Sequence, residues 1–204
     1  MAVQPPIHPL SRPTADARSV AELVAAAREG RLRIPPFQRR FRWDAGDIER
    51  LFESVWQGYP VGSLLLWERS ADAGQVEFGP VSVEAPAIRD ALWVVDGQQR
   101  LTSLVGVLGA PKDTRGPFEL YFDLVQLDFR RPGNRKPPIS WLPLRQLIDT
   151  NALLTWLLAF REQGGGEDQV EVATSFGERI REYKIPVSIV RTDDESVLRD
   201  ILTG

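Results

Sequence analysis

Five consecutive residues, 96–100 with the sequence DGQQR, combine groups that can bind a phosphate. They lie between the apolar residues 92–95 and a helical stripe of apolar residues that begins at Leu101. A strand that turns at once into a helix leaves free backbone N–H groups at the helix start. These donors, together with the helix dipole, form an anion site. The sequence therefore predicts a phosphate-handling site here.

Each side chain of this segment suits a separate task. Gly97 lets the backbone approach a ligand closely, and Arg100, in the first helical turn, can form two hydrogen bonds with a phosphate. Gln98 and Gln99 are neutral and can orient a water molecule or contact a base or ribose edge. Asp96, at the carboxyl end of the strand, can hold a magnesium ion or accept a proton. The alternative is a plain tight turn with a solvated arginine, because Asp-Gly turns are common.

A second candidate segment, residues 34–43, mixes prolines, aromatic residues and arginines. Its prolines favour an extended backbone, which places Gln38, Arg40 and Arg42 on one side. Arg39 falls on the more apolar side, where an unpaired charge is costly to bury and needs a specific partner. Taken alone, the segment is better explained as a packed aromatic strand whose arginines reach solvent.

Two further stretches are weaker candidates. Gly62 and Ser63 could line a ligand, although a simple turn between helix and strand is the stronger interpretation. A basic loop at 128–138 could face a phosphate, although a solvated charged surface is the favoured explanation. The loop's basic residues are Arg130, Arg131, Arg135 and Lys136.

The composition of the 204 residues restricts the chemistry of all these candidates. The chain has no cysteine, which excludes disulfides, thiolate metal sites and a cysteine nucleophile. A single histidine, His8, argues against histidine-based zinc sites and Ser-His-Asp triads. The net charge of −3 offers no general basic surface for nucleic acid. No apolar run reaches the roughly 20 residues of a membrane span, and a signal-peptide apolar region is lacking, so a cytoplasmic location without membrane contact is expected.

Apolar periodicity and capping residues predict an alternation of helices and strands. Residues 1–18 read as a flexible lead-in, and the chain ends inside a last helix capped by Asp193 or Asp194, which suggests truncation. The other predicted helices are 19–30, 44–58, 101–108, 151–162 and 170–183. The predicted strands are 63–67, 92–95, 118–124, 139–142 and 185–190, with a loop or hairpin tip at 71–79 and a basic loop at 128–138.

Three segments in this order, 34–43, 58–63 and 94–104, resemble the ParB/sulfiredoxin-like N-terminal domain of GmrSD-type restriction proteins, a domain similar to one in SspE-like phage-defence proteins. The likeness is clear over residues 19–108 and weaker beyond. It implies one α+β domain over residues 19–204, with a small mixed sheet, surrounding helices and a C-terminal helical portion.

The resemblance also implies a function: binding and Mg²⁺-dependent hydrolysis of a nucleoside triphosphate, in a bacterial protein that restricts foreign, often modified, DNA. Residues 96–100 would form the nucleotide site with Gln38, Arg39, Gly62 and Ser63, and Asp96 would bind the metal. Related proteins often carry an HNH nuclease domain, which one histidine cannot supply, so DNA cleavage would belong to another domain or subunit. The alternative is a non-catalytic module that binds DNA or senses modified DNA. Residues assigned to nucleic-acid contacts are Arg40, Arg42, Arg131, Arg135 and Lys136.

Overall fold

A computed structural model describes residues 14–35 and 41–191. The strands in this part of the chain are β1 (Thr14–Ser19), β2 (Leu32–Arg33), β3 (Leu64–Ala71), β4 (Gly74–Phe78), β5 (Val81–Ala85), β6 (Ile88–Asp96), β7 (Tyr121–Asp123), β8 (Asp128–Arg130), β9 (Trp141–Pro143) and β10 (Lys184–Arg191). The helices are α1 (Val20–Arg28), α2 (Ala45–Gln57), α3 (Gln98–Leu108), α4 (Thr150–Glu162) and α5 (Glu167–Glu182). This arrangement confirms the predicted α+β class.

The main sheet has five strands in the order β1-β10-β3-β6-β2. β2 runs parallel to β6, and β3 runs antiparallel to β6 and parallel to β10. β1 pairs antiparallel with β10 from Thr14 to Ser19. The last residues of the stretch interpreted as a flexible lead-in are therefore ordered, because a strand from the far end of the chain pairs with them.

Two small sheets accompany the main one. β4 and β5 form an antiparallel hairpin, and β4 lies within residues 71–79, the stretch predicted as a loop or hairpin tip. β7 pairs with both β8 and β9, and β8 occupies the start of the loop predicted at 128–138. These strands are only three to five residues long. β7 and β9 overlap the strands predicted at 118–124 and 139–142, whereas β8 is defined by its cross-strand partner.

The predicted helix boundaries are largely confirmed because they depend on local capping. Ser19 and Glu22 form the expected capping box at the start of α1. Asp44 caps α2, and Gly58 ends it in the left-handed conformation, with φ 76°. The helix predicted after Asp193 lies outside the described residues.

The main core lies on one face of the five-stranded sheet. Leu66 of β3 and Val94 of β6 are fully buried there, and every residue of α3 from 101 to 108 is buried. An aromatic cluster continues this core to the small sheet and α5, with Phe122 packed 4.5 Å from Phe176 between ring centroids. Because α3 is so deeply buried, its first turn is held rigidly at the sheet edge. Within the described residues, no helix is both long and apolar enough to cross a membrane.

The capping box of α1 predicts a pH-dependent loss of stability. The Ser19 backbone N–H donates a 2.6 Å hydrogen bond to Oε2 of Glu22, and this bond, together with one from the Ser19 side chain, lowers the pKa of Glu22 from 4.5 to about 2. A carboxyl whose pKa is depressed by folding stabilises the fold above its unfolded pKa, and this stabilisation is lost as pH falls from about 4.5 towards 2. We expect Glu22→Gln to flatten the melting temperature profile in that window, measured by thermal unfolding. Glu29→Gln, at an exposed glutamate just after α1, serves as the control, and an unchanged profile for Glu22→Gln would contradict the expectation.

Candidate functional site

Three chain segments meet at one edge of the five-stranded sheet. β6 ends there at Asp96, and β2 points the same way because Arg33 pairs in parallel with Trp93. β3 runs in the opposite direction and begins at this edge, where Leu65 lies opposite Asp96. The turn at residues 62–63 and the segment after β2 are thus brought beside the DGQQR segment. All three predicted motifs lead to this edge.

Arg100 occupies the centre of this edge. Its Nη1 donates a hydrogen bond of 2.7 Å to the carbonyl oxygen of Val61, and its Nη2 lies 3.6 Å from Oδ2 of Asp96. The Arg100 side chain is 19 % exposed, whereas that of Asp96 is 70 % exposed. The guanidinium is therefore held in place by the protein while the carboxylate beside it faces solvent.

Two glycines make room for this guanidinium. Gly62 and Gly97 have φ values of +83° and +88°, a conformation that other residues rarely adopt. A Cβ atom at Gly62 would lie under 3.0 Å from Nη1 of Arg100, and one at Gly97 would lie 3.2 Å from Nη2. The slot for Arg100 depends on glycine on both sides.

The start of α3 supplies further donors. Gly97 is its N-cap, no side chain caps the helix within the described residues, and its first turn contains no acidic residue. A helix start without a side-chain cap keeps backbone N–H groups available for an anion. The guanidinium of Arg100 and these backbone groups together give the edge its positive character, which Asp96 partly offsets.

The two glutamines of the segment have different surroundings. Oε1 of Gln99 accepts hydrogen bonds from the backbone nitrogens of Arg42, at 2.8 Å, and Trp43, at 3.2 Å. Gln99 thereby fixes the end of the 34–43 segment against α3, a positioning contact that the sequence did not indicate. Gln98 is half-buried and lies in the first turn of α3. Gln38, Arg39 and Arg40 lie outside the described residues.

Arg131, which the sequence assigned to nucleic-acid contacts, is engaged within the protein. Its Nη1 donates to the carbonyl oxygens of Pro117 and Glu119, at 2.7 and 3.2 Å, and its Nη2 donates to that of Ala45, at 2.6 Å. Its Nε lies 3.4 Å from the Glu49 carboxylate. Burial lowers the pKa of Arg131, which the neighbouring Glu49 partly opposes. These contacts join the small three-stranded sheet to the start of α2 and give this arginine a structural role.

The other predicted nucleic-acid contacts within the described residues lie at the surface. Arg42, Arg135 and Lys136 are all exposed. Arg42 belongs to the segment that Gln99 holds, whereas the other two lie in the loop between β8 and β9. Their contact with nucleic acid stays a prediction.

The acidic residues at the sheet edge fit a metal ion that is shared with a ligand. The described residues contain no cluster of three or more side chains of the types that hold a metal ion. Mg²⁺ in nucleotide enzymes commonly takes one or two protein carboxylates and completes its shell with phosphate oxygens and water. Asp96, exposed at the sheet edge, fits a magnesium ion that is shared with a nucleotide.

The sequence matches the profile of the GmrSD restriction endonuclease N-terminal domain over residues 20–199. The chain belongs to this family. The match covers all three segments that meet at the sheet edge and confirms the resemblance drawn from their motifs. It associates this GmrSD N-terminal domain with restriction and phage-defence proteins.

An archaeal protein shares part of this domain. An uncharacterized protein of Methanocaldococcus jannaschii is 33% identical over 126 residues, which cover 55% of this chain and 21% of that protein. The match thus spans about a fifth of the length of the relative.

Proposed function

We propose that this GmrSD N-terminal domain binds a nucleoside triphosphate at the sheet edge and hydrolyses it, within a bacterial restriction or phage-defence protein. The observation that carries the proposal is the position of Arg100. Its guanidinium is held between the Val61 carbonyl and Asp96, in a slot formed by two glycines at the uncapped start of α3. A fixed arginine beside free backbone N–H groups is suited to binding phosphate oxygens.

The roles of the side chains follow from their contacts. Arg100 binds the transferred phosphoryl group, whose equatorial oxygens carry the charge of the transition state. Asp96 lies 3.6 Å from that guanidinium and is largely exposed, so an incoming phosphate can take its place beside Arg100. Gln98 orients the attacking water, and Gln99 positions the backbone of Arg42 and Trp43 beside the site. Gly62 and Ser63 line the phosphates from the opposite side.

Asp96 would hold a magnesium ion, which would supply positive charge to neutralise the phosphates of a bound nucleotide. Asp96 gains a second role by this arrangement, because it leaves its ion pair with Arg100 and frees both groups for the ligand. Apart from this metal, the available chemistry comes from the side chains of the protein. With no cysteine and one histidine, it offers neither a cysteine nucleophile nor a histidine cluster, and DNA cleavage is assigned to another domain or subunit.

Nucleotide hydrolysis by the purified protein tests the proposal. We expect phosphate release from at least one of ATP, GTP, CTP and UTP, dependent on Mg²⁺, and a fall of about 10²-fold in Asp96→Asn because a carboxylate is lost from the reacting centre. Asp90→Asn is the matched control, because Asp90 is an exposed aspartate on the same strand far from the edge, and it should hydrolyse like the wild type. Absence of both turnover and calorimetric binding with all four nucleotides would refute the proposal.

A further inference from the structure

A cavity lies between the small three-stranded sheet and α4. None of its described lining residues belongs to the DGQQR segment. Its volume is about 230 Å³. Its described walls are mainly aromatic and proline side chains, among them Trp141 at the sheet and Trp156 and Phe160 on α4. Arg145 is the only charged residue among these lining residues. The cavity therefore combines flat apolar surfaces with one positive charge.

The aromatic wall on the sheet is fixed in place. Nε1 of Trp141 donates a 3.0 Å hydrogen bond to Oδ2 of Asp123, whose side chain is buried. Oδ1 of the same carboxylate accepts hydrogen bonds from the backbone nitrogens of Val125, at 2.9 Å, and Gln126, at 3.2 Å. Because Asp123 is itself held through Oδ1, its Oδ2 fixes the indole of Trp141, and the cavity is preorganised on this side.

The wall on the helix is also an aromatic stack. The rings of Trp156 and Phe160 lie 5.1 Å apart between centroids with an interplanar angle of 10°. Trp156 is only half-buried, although a ring of this size buries much area when it has a partner. A further planar group can extend such a stack, and every nucleic-acid base offers a flat face of this kind.

The charges around the cavity favour an anionic ligand. Arg135 and Lys136 are exposed and directly precede two prolines of its wall, Pro137 and Pro138. Neither these two side chains nor Arg145 forms an ion pair within residues 14–35 and 41–191. Another cavity, of about 380 Å³, lies at the end of α2 and differs in the sign of its charge. The charged residues in its lining are Arg50, Glu53 and Asp128, which together carry a net negative charge.

We propose that the aromatic cavity binds an unpaired base of a nucleic-acid strand, with the strand's phosphates against Arg145 and the Arg135–Lys136 loop. Stacking on aromatic side chains beside a basic rim is how single strands are held without sequence readout. An aromatic groove also suits a proline-rich peptide, but such a peptide carries no phosphate to pair with the positive charges beside the cavity. The site is separate from the nucleotide site, so it goes beyond the proposed function.

Fluorescence anisotropy with two labelled single strands tests this. One probe carries bases, and the other has the same backbone with abasic positions. We expect the wild type to prefer the base-bearing strand and Trp156→Leu to weaken that binding about tenfold, because base stacking is lost. Binding of the abasic strand should be unchanged. Leu154→Ala is the matched control, since Leu154 is exposed on another side of α4, and it should bind like the wild type.

A second pair of variants tests the role of the Arg145 charge and provides a readout if Trp156→Leu does not fold. Arg145→Gln should weaken the binding of both strands and reduce its salt dependence. Arg89→Gln, at an exposed arginine of β6, should change neither. If Trp156→Leu fails to fold, Trp156→Phe, which keeps an aromatic face, and Arg145→Gln decide the question. Nucleotide hydrolysis should be unaffected by the cavity variants, which separates this proposal from the previous one. Equal binding of both probes, or wild-type binding by Trp156→Leu, overturns it, as does a proline-rich peptide that binds where the strand does not.

Discussion

Arg100→Ala is expected to reduce nucleoside-triphosphate hydrolysis by about 10³-fold, the order of effect seen when an arginine that stabilises a transferred phosphoryl group is removed. The hydrogen bond to the Val61 carbonyl positions the side chain in advance, which lowers the ordering cost when the ligand binds. Arg100→Lys keeps the charge but loses the planar fork and should recover only part of the rate. Steady-state phosphate release and calorimetric nucleotide binding would measure both variants.

The same substitution also removes a hydrogen bond, so stability must be measured in parallel. Loss of the bond to the Val61 carbonyl should cost about 1 kcal/mol of unfolding free energy, far too little to explain a large fall in rate. Arg89→Ala provides the control for loss of a positive charge. Hydrolysis by Arg100→Ala within a factor of about two of the wild type, with the fold intact, would remove this arginine from the phosphate site.

Local signals in the sequence predicted the helices well. The Ser19–Glu22 capping box and the Asp44 cap are contained within a single turn of chain, and so is the left-handed Gly58 that ends α2. β7 and β9 overlap the strands predicted at 118–124 and 139–142, whereas β1 and β8 were missed because their partners define them. β8 has three residues and acquires its conformation by pairing with β7, and β1 by pairing with a strand near residue 190.

The same division applies to the candidate site. Residues 96–100 could be identified from sequence because a strand, a turn and a helix start are adjacent in the chain. The contacts that distinguish its members are long-range: Gln99 bonds to Arg42 across 57 residues, and Arg131 bonds to Ala45 across 86. Composition and spacing do not predict such long-range pairs. The positioning role of Gln99 and the structural role of Arg131 are therefore visible only in the folded structure.

These long-range contacts form a continuous path from the phosphate site to the basic loop. Gln99 holds the backbone of Arg42 and Trp43, α2 begins two residues later at Ala45, and the carbonyl of Ala45 accepts a hydrogen bond from Arg131. The loop that carries Arg135 and Lys136 starts just after Arg131. Hydrogen bonds thus connect the two regions of the fold, although the two proposed ligands bind to separate sets of residues.

Gly62→Ala is expected to abolish most nucleotide binding while costing about 1–2 kcal/mol of unfolding free energy. Two effects are combined in this substitution. An alanine at φ +83° is strained by about 1–2 kcal/mol, and its Cβ would also displace Nη1 of Arg100. Because that atom is the end of a flexible side chain, Arg100 can move aside at small cost to the fold. The displaced guanidinium, however, no longer lies where the phosphate is bound.

Gly58→Ala separates the two effects. Gly58 has a similar φ of +76°, but a Cβ there meets nothing within 4 Å. Both variants should therefore lose similar free energy of unfolding in urea, while only Gly62→Ala loses nucleotide binding by calorimetry. In an Arg100→Ala background, Gly62→Ala should cause no further loss of hydrolysis, because the group that it displaces is already gone. Additive losses in the double variant would show that Gly62 acts on the ligand directly, and equal binding by the Gly58 and Gly62 variants would show that the slot does not position Arg100 for phosphate.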